Sequence, residues 1–418
     1  MRPPGRQCVI LAGGLGTRLG PLVEHVPKPM LSVGGRPFVE HLVRQARRFG
    51  FDSFVFLAGY RGEVVAEHFR PDGALARELC ARFTTRIEHE PLGTAGALRE
   101  VAPLLDTNFL MLNGDSCFDF NLLDLAMHDV GGDLLGRIAL RHIADCTRYG
   151  MVEVAGDRII GFHPKGHQGR GLVNAGAYWL DARIIETLRP KETSLEADVF
   201  PRLADEGRLG GVVYDGYFVD IGIRADYERA QAEFLRMVRR PAVFFDRDNV
   251  LNEDKGYTHR PQEFHWIEGA QRAVKTCNDL GYFVFVVSNQ AGVAHGFYDI
   301  ASVEALHLWM NEELRSIGAH VDAFKFCPHH PQGAVAAYRE DCACRKPKPG
   351  MILELNDRWP VVKEESLLIG DRDSDVEAAR SAGFPGVKFP GGNLETFVKG
   401  ILPSPARLKN IRGWYADA

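Results

Sequence analysis

Phe244-Phe245-Asp246-Arg247-Asp248-Asn249-Val250-Leu251 lies past the middle of a 418-residue chain and yet reads like the beginning of a protein. The apolar run from Ala242 to Phe245 reads as a buried strand, and it delivers two carboxylates, one residue apart, to the loop at its carboxyl end. Open parallel sheets keep their chemistry at that end. Along an extended segment Asp246 and Asp248 point the same way, so both can face one cation and one phosphate. A carboxylate held against Mg²⁺ and a phosphoryl group can be a nucleophile, and a second beside it can carry protons. A lone D-x-D is more often a solvated acidic turn. The deciding question is whether other strand ends carry matching groups.

Downstream, Phe283 to Val287 reads as a second apolar strand, ending in Ser288-Asn289-Gln290. A hydroxyl there can hold a phosphate oxygen. Arg345-Lys346-Pro347-Lys348-Pro349-Gly350 offers cations for the same phosphate, and Ser366 to Ile369 reads as a third strand ending in Gly370-Asp371-Arg372-Asp373-Ser374-Asp375. This order of motifs resembles the haloacid dehalogenase superfamily of phosphatases. The resemblance implies an α/β doubly wound sheet, with Asp246 as nucleophile and Asp248 as general acid and then base. It makes Ser288 and Lys346 phosphate clamps, with Asn289 and Arg345 beside the substrate, and Asp246, Asp248 and Asp371 the Mg²⁺ set, Asp375 supporting that loop. Asn249-Val250 departs from the family's usual Gly-Thr; asparagine tolerates unusual backbone angles better than most residues.

Three of the eight cysteines gather around histidines. Cys327-Pro328-His329 and Cys342-Ala343-Cys344 form C-x-H-x₁₂-C-x-C, three thiolates and one imidazole, a closed tetrahedral zinc set, with His330 a competitor for His329. Such a zinc would pin the loop that ends in Arg345-Lys346, a structural role. Together with Gly256-Tyr257-Thr258-His259 and Asn289-Gln290-Ala291-Gly292, the site is similar to the D-glycero-D-manno-heptose 1,7-bisphosphate 7-phosphatases. Histidinol phosphatases share the zinc arrangement.

The first half opens on another strand candidate, Gln7 to Leu11, which runs into Ala12-Gly13-Gly14-Leu15-Gly16-Thr17-Arg18-Leu19. Glycines let backbone N–H groups approach a phosphate closely, and Arg18 and Lys28, in Pro27-Lys28-Pro29-Met30, can neutralise it. These residues resemble the sugar-1-phosphate nucleotidylyltransferases over roughly the first 235 residues. The resemblance makes Gly13, Gly14, Gly16 and Thr17 a phosphate cradle, and Pro91-Leu92-Gly93-Thr94-Ala95-Gly96 a base-reading loop. It makes Asp115 and Asp220 Mg²⁺ ligands, and places Lys165, Asn174 and Glu196 at the sugar and its phosphate. Pro164, where a glutamate is common, and Ile223-Arg224, where Thr-Pro is common, depart from the pattern and bear on sugar specificity. Transfer of this kind is mostly a matter of charge and alignment, which two carboxylates on Mg²⁺ with Arg18, Lys28 and Lys165 would supply.

Composition agrees with small-molecule partners. The apolar content is 45%, the charged content 25% and the formal charge -5, with no basic block to serve nucleic acid or a membrane surface and no run long enough to span a bilayer. A cytoplasmic location is expected. No glycine- or serine-rich linker separates the halves. The expected organisation is a Rossmann-like transferase domain with a mixed central sheet over residues 1–238, a phosphatase domain over 239–395 and a tail over 396–418. The expected function is a bifunctional enzyme of activated-heptose synthesis. It removes the 7-phosphate of heptose 1,7-bisphosphate and then transfers a nucleotidyl group, GMP from GTP by likeness to heptose-1-phosphate guanylyltransferases, to heptose 1-phosphate. The competing readings are a histidinol-phosphate-type phosphatase fused to a hexose-1-phosphate nucleotidylyltransferase, and a phosphatase carrying a non-catalytic nucleotide-sensing module. Oligomeric state and destination glycan are not legible.

Overall fold

The computed structural model describes residues 5–14, 16–128, 130 and 132–403. Two compact units divide between Arg236 and Met237. Both are α/β.

In the first unit nine strands form one mixed sheet. Arg82–Ile87, Ser53–Ala58, Gln7–Ala12 and Asn108–Asn113 lie side by side in that order and all run parallel. Gly171–Asp181 then pairs antiparallel with Asn108–Asn113 and with Gly136–Ile143, which gives the sheet its mixed character. Strand Gln7–Ala12 is interior and buried, flanked by parallel strands on both sides, and the glycine-rich loop leaves its carboxyl end. A separate two-stranded ribbon pairs Ser116–Phe118 with Phe218–Asp220, with Asp220 opposite Ser116.

The second unit holds a five-stranded, all-parallel sheet in the order Ala323–Cys327, Phe283–Asn289, Ala242–Phe245, Leu367–Gly370, Gly386–Lys388. In chain order this is 3-2-1-4-5, so the direction of winding reverses beside the central strand, Ala242–Phe245. Both faces are covered, as a parallel sheet requires. Val243, Phe245, Val284, Val286 and Ile369 pack on helices Ala270–Asp279, Ile300–Arg315 and Leu394–Ile401. The alternate residues Ala242, Phe244, Phe283, Phe285 and Leu368 pack on Gly350–Arg358 and Asp373–Ser381. Continuous apolar runs are the signature of strands buried on both sides. Helix Leu394–Ile401 runs through residue 395, where the sequence reading ends the domain, because Leu394 and Val398 are needed in the core. The rest of the expected tail, 404–418, lies outside the described residues.

Candidate active sites

In the second unit the sheet register builds the site. Phe245 lies opposite both Val286 and Ile369, so Asp246 follows one residue beyond that level, and Ser288 and Asp371 two residues beyond it, at the carboxyl ends of three adjacent strands. Ser288 and Asn289 are the last residues of their strand rather than loop residues. The buried ammonium of Lys346 stands between Asp246 Oδ1, at 2.8 Å, and Asp375 Oδ1, at 2.6 Å, and donates to the Val287 carbonyl at 2.8 Å. Asn289 holds the lysine's backbone from both sides, donating to its carbonyl and accepting from its N–H, each at 3.0 Å.

Asp246, Asp371 and Asp375 bring their oxygens within 4.8 Å of one another. Burial raises the Asp246 carboxyl; Lys346 opposes this, and Asp375 and Asp248 add to it. Burial also works against the Lys346 charge, but Asp246 and Asp375 outweigh it and the ammonium is held charged. Lys346 thus pairs with two of the three carboxylates, Asp371 Oδ2 lies 3.7 Å from Arg372 Nε, and Asp371 Oδ1 is buried with no hydrogen-bond partner among the described residues. An under-compensated oxygen-only cluster with an orphaned carboxylate oxygen fits a hard divalent cation such as Mg²⁺.

The carboxylate of Asp248, expected in the metal set, is turned away from it. It is held by Arg247, at 2.9 Å from Nη2 to Oδ1, and by Gln290, at 3.1 Å from Nε2 to Oδ2. Asp375, expected only to support the loop, takes the third place. Asn249 adopts the left-handed backbone, φ 61°, and its side chain donates to Asp371 Oδ2 at 3.1 Å, which gives this departure from the family pattern a local purpose.

Cys327, His329, Cys342 and Cys344 converge as the spacing requires. Cys342 Sγ lies 3.4 Å from Cys327 Sγ and 3.2 Å from Cys344 Sγ, and His329 Nδ1 lies 3.5 Å from Cys344 Sγ. A tetrahedral Zn²⁺ with metal–sulfur distances of about 2.3 Å has S···S edges of roughly 3.8 Å, close to this spacing. His330 is not in the set: its Nδ1 accepts from Gln332 N, and its ring packs on His295. The Arg345 guanidinium donates to the His329 carbonyl at 3.0 Å, so the residue before Lys346 is tied to the cysteine loop.

In the first unit Lys28 is buried between two carboxylates, 2.6 Å from Asp115 Oδ2 and 3.5 Å from Asp220 Oδ1. The ribbon brings these acids together, and Ile221 N donates to the Asp115 carbonyl at 3.0 Å. Burial and the neighbouring Asp115 raise the Asp220 carboxyl, with Lys28 opposing. Arg18 joins them at Gly222, where a Cβ would come 2.8 Å from Asp220 Oδ1, 3.2 Å from Lys28 Nζ and 3.3 Å from Arg18 Nη2. Gly16, φ 61°, lies against the Lys28 side chain, so the glycine-rich loop, which carries Gly13, Gly14 and Thr17, reaches the same place. Two carboxylates facing two cations beyond the end of an interior strand make a site for a metal-bound polyphosphate.

A second group gathers Glu196, whose Oε2 accepts from Thr94 at 3.2 Å and whose Oε1 accepts from Tyr178 at 3.3 Å. Asn174 donates to the Tyr178 hydroxyl at 3.0 Å. Thr94, in the first turn of helix Gly93–Glu100 rather than in a loop, is thereby joined directly to Glu196, and Glu196 to Asn174 through Tyr178, a buried tyrosine that reads as ordinary core in the sequence. Lys165 is exposed after strand Arg158–His163 and makes no hydrogen bond or ion pair with either group among the described residues.

A nucleotidyl transferase family model matches residues 7–236, more than half of the chain. A HAD-hydrolase-like model matches residues 343–396. The D-glycero-beta-D-manno-heptose-1,7-bisphosphate 7-phosphatase of Rhodopseudomonas palustris is 48% identical over 164 residues, 39% of this chain and 91% of that protein. The chain belongs to both families, nucleotidyl transferase and heptose-bisphosphate phosphatase. The phosphatase of the same name from Salmonella typhi is 39% identical over 178 residues, 43% of this chain and 90% of its own length. Among solved structures, HddC from Yersinia pseudotuberculosis complexed with GMP-PN is 30% identical, covering 55% of this chain and 99% of that one, with a TM-score of 0.48. This fusion of a nucleotidyl transferase with a HAD-type phosphatase therefore carries two catalytic domains. Among its described residues no helix is long and apolar enough to cross a membrane.

Proposed function

We propose that this chain makes nucleotide-activated heptose in two steps. Its second domain, residues 239–395 with a doubly wound sheet, hydrolyses the 7-phosphate of D-glycero-D-manno-heptose 1,7-bisphosphate. Its first, the Rossmann-like residues 1–238, transfers GMP from GTP to the resulting heptose 1-phosphate and releases pyrophosphate. The observation that carries this reading is the Asp246–Lys346–Asp375 constellation beside Asp371, on a chain whose other half converges Arg18, Lys28, Asp115 and Asp220.

In the phosphatase, Asp246 attacks the phosphorus and forms an aspartyl-phosphate while Asp248 gives a proton to the departing sugar oxygen. Asp248 then takes a proton from the water that releases phosphate and restores Asp246. Ser288 and Lys346 hold the phosphoryl oxygens, and Arg345 is assigned to the substrate. Asp246, Asp371 and Asp375 would hold Mg²⁺, which when bound neutralises phosphate charge and keeps Asp246 ionised. Cys327, His329, Cys342 and Cys344 would hold a structural Zn²⁺ that presents Lys346. In the transferase, Lys28 and Arg18 neutralise the triphosphate, Asp115 and Asp220 are placed to hold its Mg²⁺, and Asn174, Glu196 and Lys165 orient the sugar phosphate. A cytoplasmic location would accord with a nucleoside triphosphate substrate and reduced thiolates.

Heptose 1,7-bisphosphate supplied with each nucleoside triphosphate in turn tests the reading. Phosphate release is expected with or without nucleotide, and pyrophosphate release only with GTP present. Pyrophosphate from another nucleotide would change the base, and no phosphate release would remove the phosphatase assignment.

A further inference from the structure

Gln290 is buried two residues beyond Ser288, and its amide is fully engaged. Nε2 donates to Ser288 Oγ at 2.7 Å and to Asp248 Oδ2 at 3.1 Å, while Oε1 accepts from the Tyr298 hydroxyl at 2.8 Å. These partners fix which way the amide faces, because the reverse orientation would set its oxygen against the Asp248 carboxylate. Burial pushes the Tyr298 phenol up to about 12, so it remains an O–H donor.

Two neighbours seat the tyrosine ring. It stacks on His259, with centroids 4.7 Å apart and planes 14° from parallel. It also passes so close to Gly292 that a Cβ there would lie 2.3 Å from Cε1 and 2.6 Å from the hydroxyl oxygen. Gly292 therefore lacks a side chain where the ring must pass to reach Gln290.

We propose that Gln290, locked by Tyr298, is a positioning residue that aims Asp248 at the leaving-group oxygen, with Arg247 donating to both carboxylate oxygens. This rests on the phosphatase reading above, in which Asp248 carries the protons. In the first step the bond from an Asp246 oxygen to phosphorus forms, the phosphorus–oxygen bond to the alcohol breaks, and the Asp248 proton goes to that oxygen. An alkoxide leaves only with this proton, whereas p-nitrophenolate leaves without it. A misaimed Asp248 therefore costs most on esters of poor leaving groups, and a general packing defect costs equally on all.

The test is kcat/KM of the full-length enzyme with Mg²⁺ on p-nitrophenyl phosphate, phenyl phosphate and glycerol 3-phosphate, with heptose 1,7-bisphosphate beside them. Tyr298→Phe removes only the hydroxyl; a loss of about 10-fold on the alkyl esters and under about 2-fold on p-nitrophenyl phosphate is expected, and Gln290→Leu should widen the alkyl loss to about 100-fold. Gly292→Ala, which displaces the ring and its hydroxyl while leaving both hydrogen-bonding groups in the sequence, should reproduce Tyr298→Phe. Equal losses across the series, or no loss in Tyr298→Phe, would overturn the role of Gln290. Where Gln290→Leu fails to fold, Tyr298→Phe carries the comparison. If the unaltered enzyme hydrolyses the simple esters but not the bisphosphate, the substrate assignment falls and the series still decides the positioning role. Failure to hydrolyse any ester would contradict both.

Discussion

Lys346 and Lys28 each stand between two carboxylates, at different depths. The Lys346 side chain is 2% exposed and its partners Asp246 and Asp375 are 10% and 2% exposed. The Lys28 side chain is 7% exposed, but Asp115 and Asp220 are 35% and 27% exposed. The difference follows from the chemistry each site is proposed to do. A covalent aspartyl-phosphate needs a nucleophile stripped of water and a fixed cation, and a closed constellation supplies both. Nucleotidyl transfer forms no bond to the protein and must admit two large charged substrates, so its carboxylates stay open to solvent on one side. Delivery differs as well: the short turn Pro27-Lys28-Pro29 presents one lysine, and the cysteine–histidine loop presents the other.

The contrast can be broken most severely at the nucleophile. Asp246→Asn is expected to lower phosphate release by more than about 10³-fold, since an amide cannot form the phosphoenzyme. Lys28→Met should lower pyrophosphate release by about 10²- to 10³-fold through lost charge stabilisation, with phosphate release unchanged. Zinc removal by a strong chelator, with Mg²⁺ restored, should reduce phosphate release about 10- to 100-fold while leaving pyrophosphate release in place, because the proposed zinc loop would present only the second lysine. Metal analysis showing no zinc would remove that asymmetry. Stability sharpens the comparison further. Lys346→Met leaves two buried carboxylates unpaired and should cost about 3–5 kcal/mol in the second unit's denaturant midpoint. Lys28→Met, whose partners remain partly solvated, should cost no more than about 1 kcal/mol. Equal costs would mean that the difference in depth has no energetic consequence.

Much of the second unit was legible because its strands are continuous apolar runs that end in polar residues, and a parallel sheet places those ends together. The cysteine set was legible from spacing alone, and distance in the fold was needed only to choose His329 over His330. The turning of Asp248 was not legible. Arg247, flanked by two aspartates, reads as a solvated residue, yet it is fully buried and draws the Asp248 carboxylate away from the metal set. Gln290 carried a usable signal, since strand alternation sets it on the same side as Ser288. In the first unit the glycine-rich loop and Lys28 were readable. The linking role of Tyr178 was not, because a tyrosine inside Asn174-Ala175-Gly176-Ala177-Tyr178 looks like core until its hydroxyl is seen between Asn174 and Glu196. Lys165 marks another case, a residue singled out by motif that is exposed in the fold.

The claim beneath all of this is that one chain carries two sites that work independently. It is tested most directly by pyrophosphate release from GTP and heptose 1-phosphate in folded Asp246→Asn protein. Release at the unaltered enzyme's rate is expected, and loss of pyrophosphate release together with phosphatase activity would contradict it.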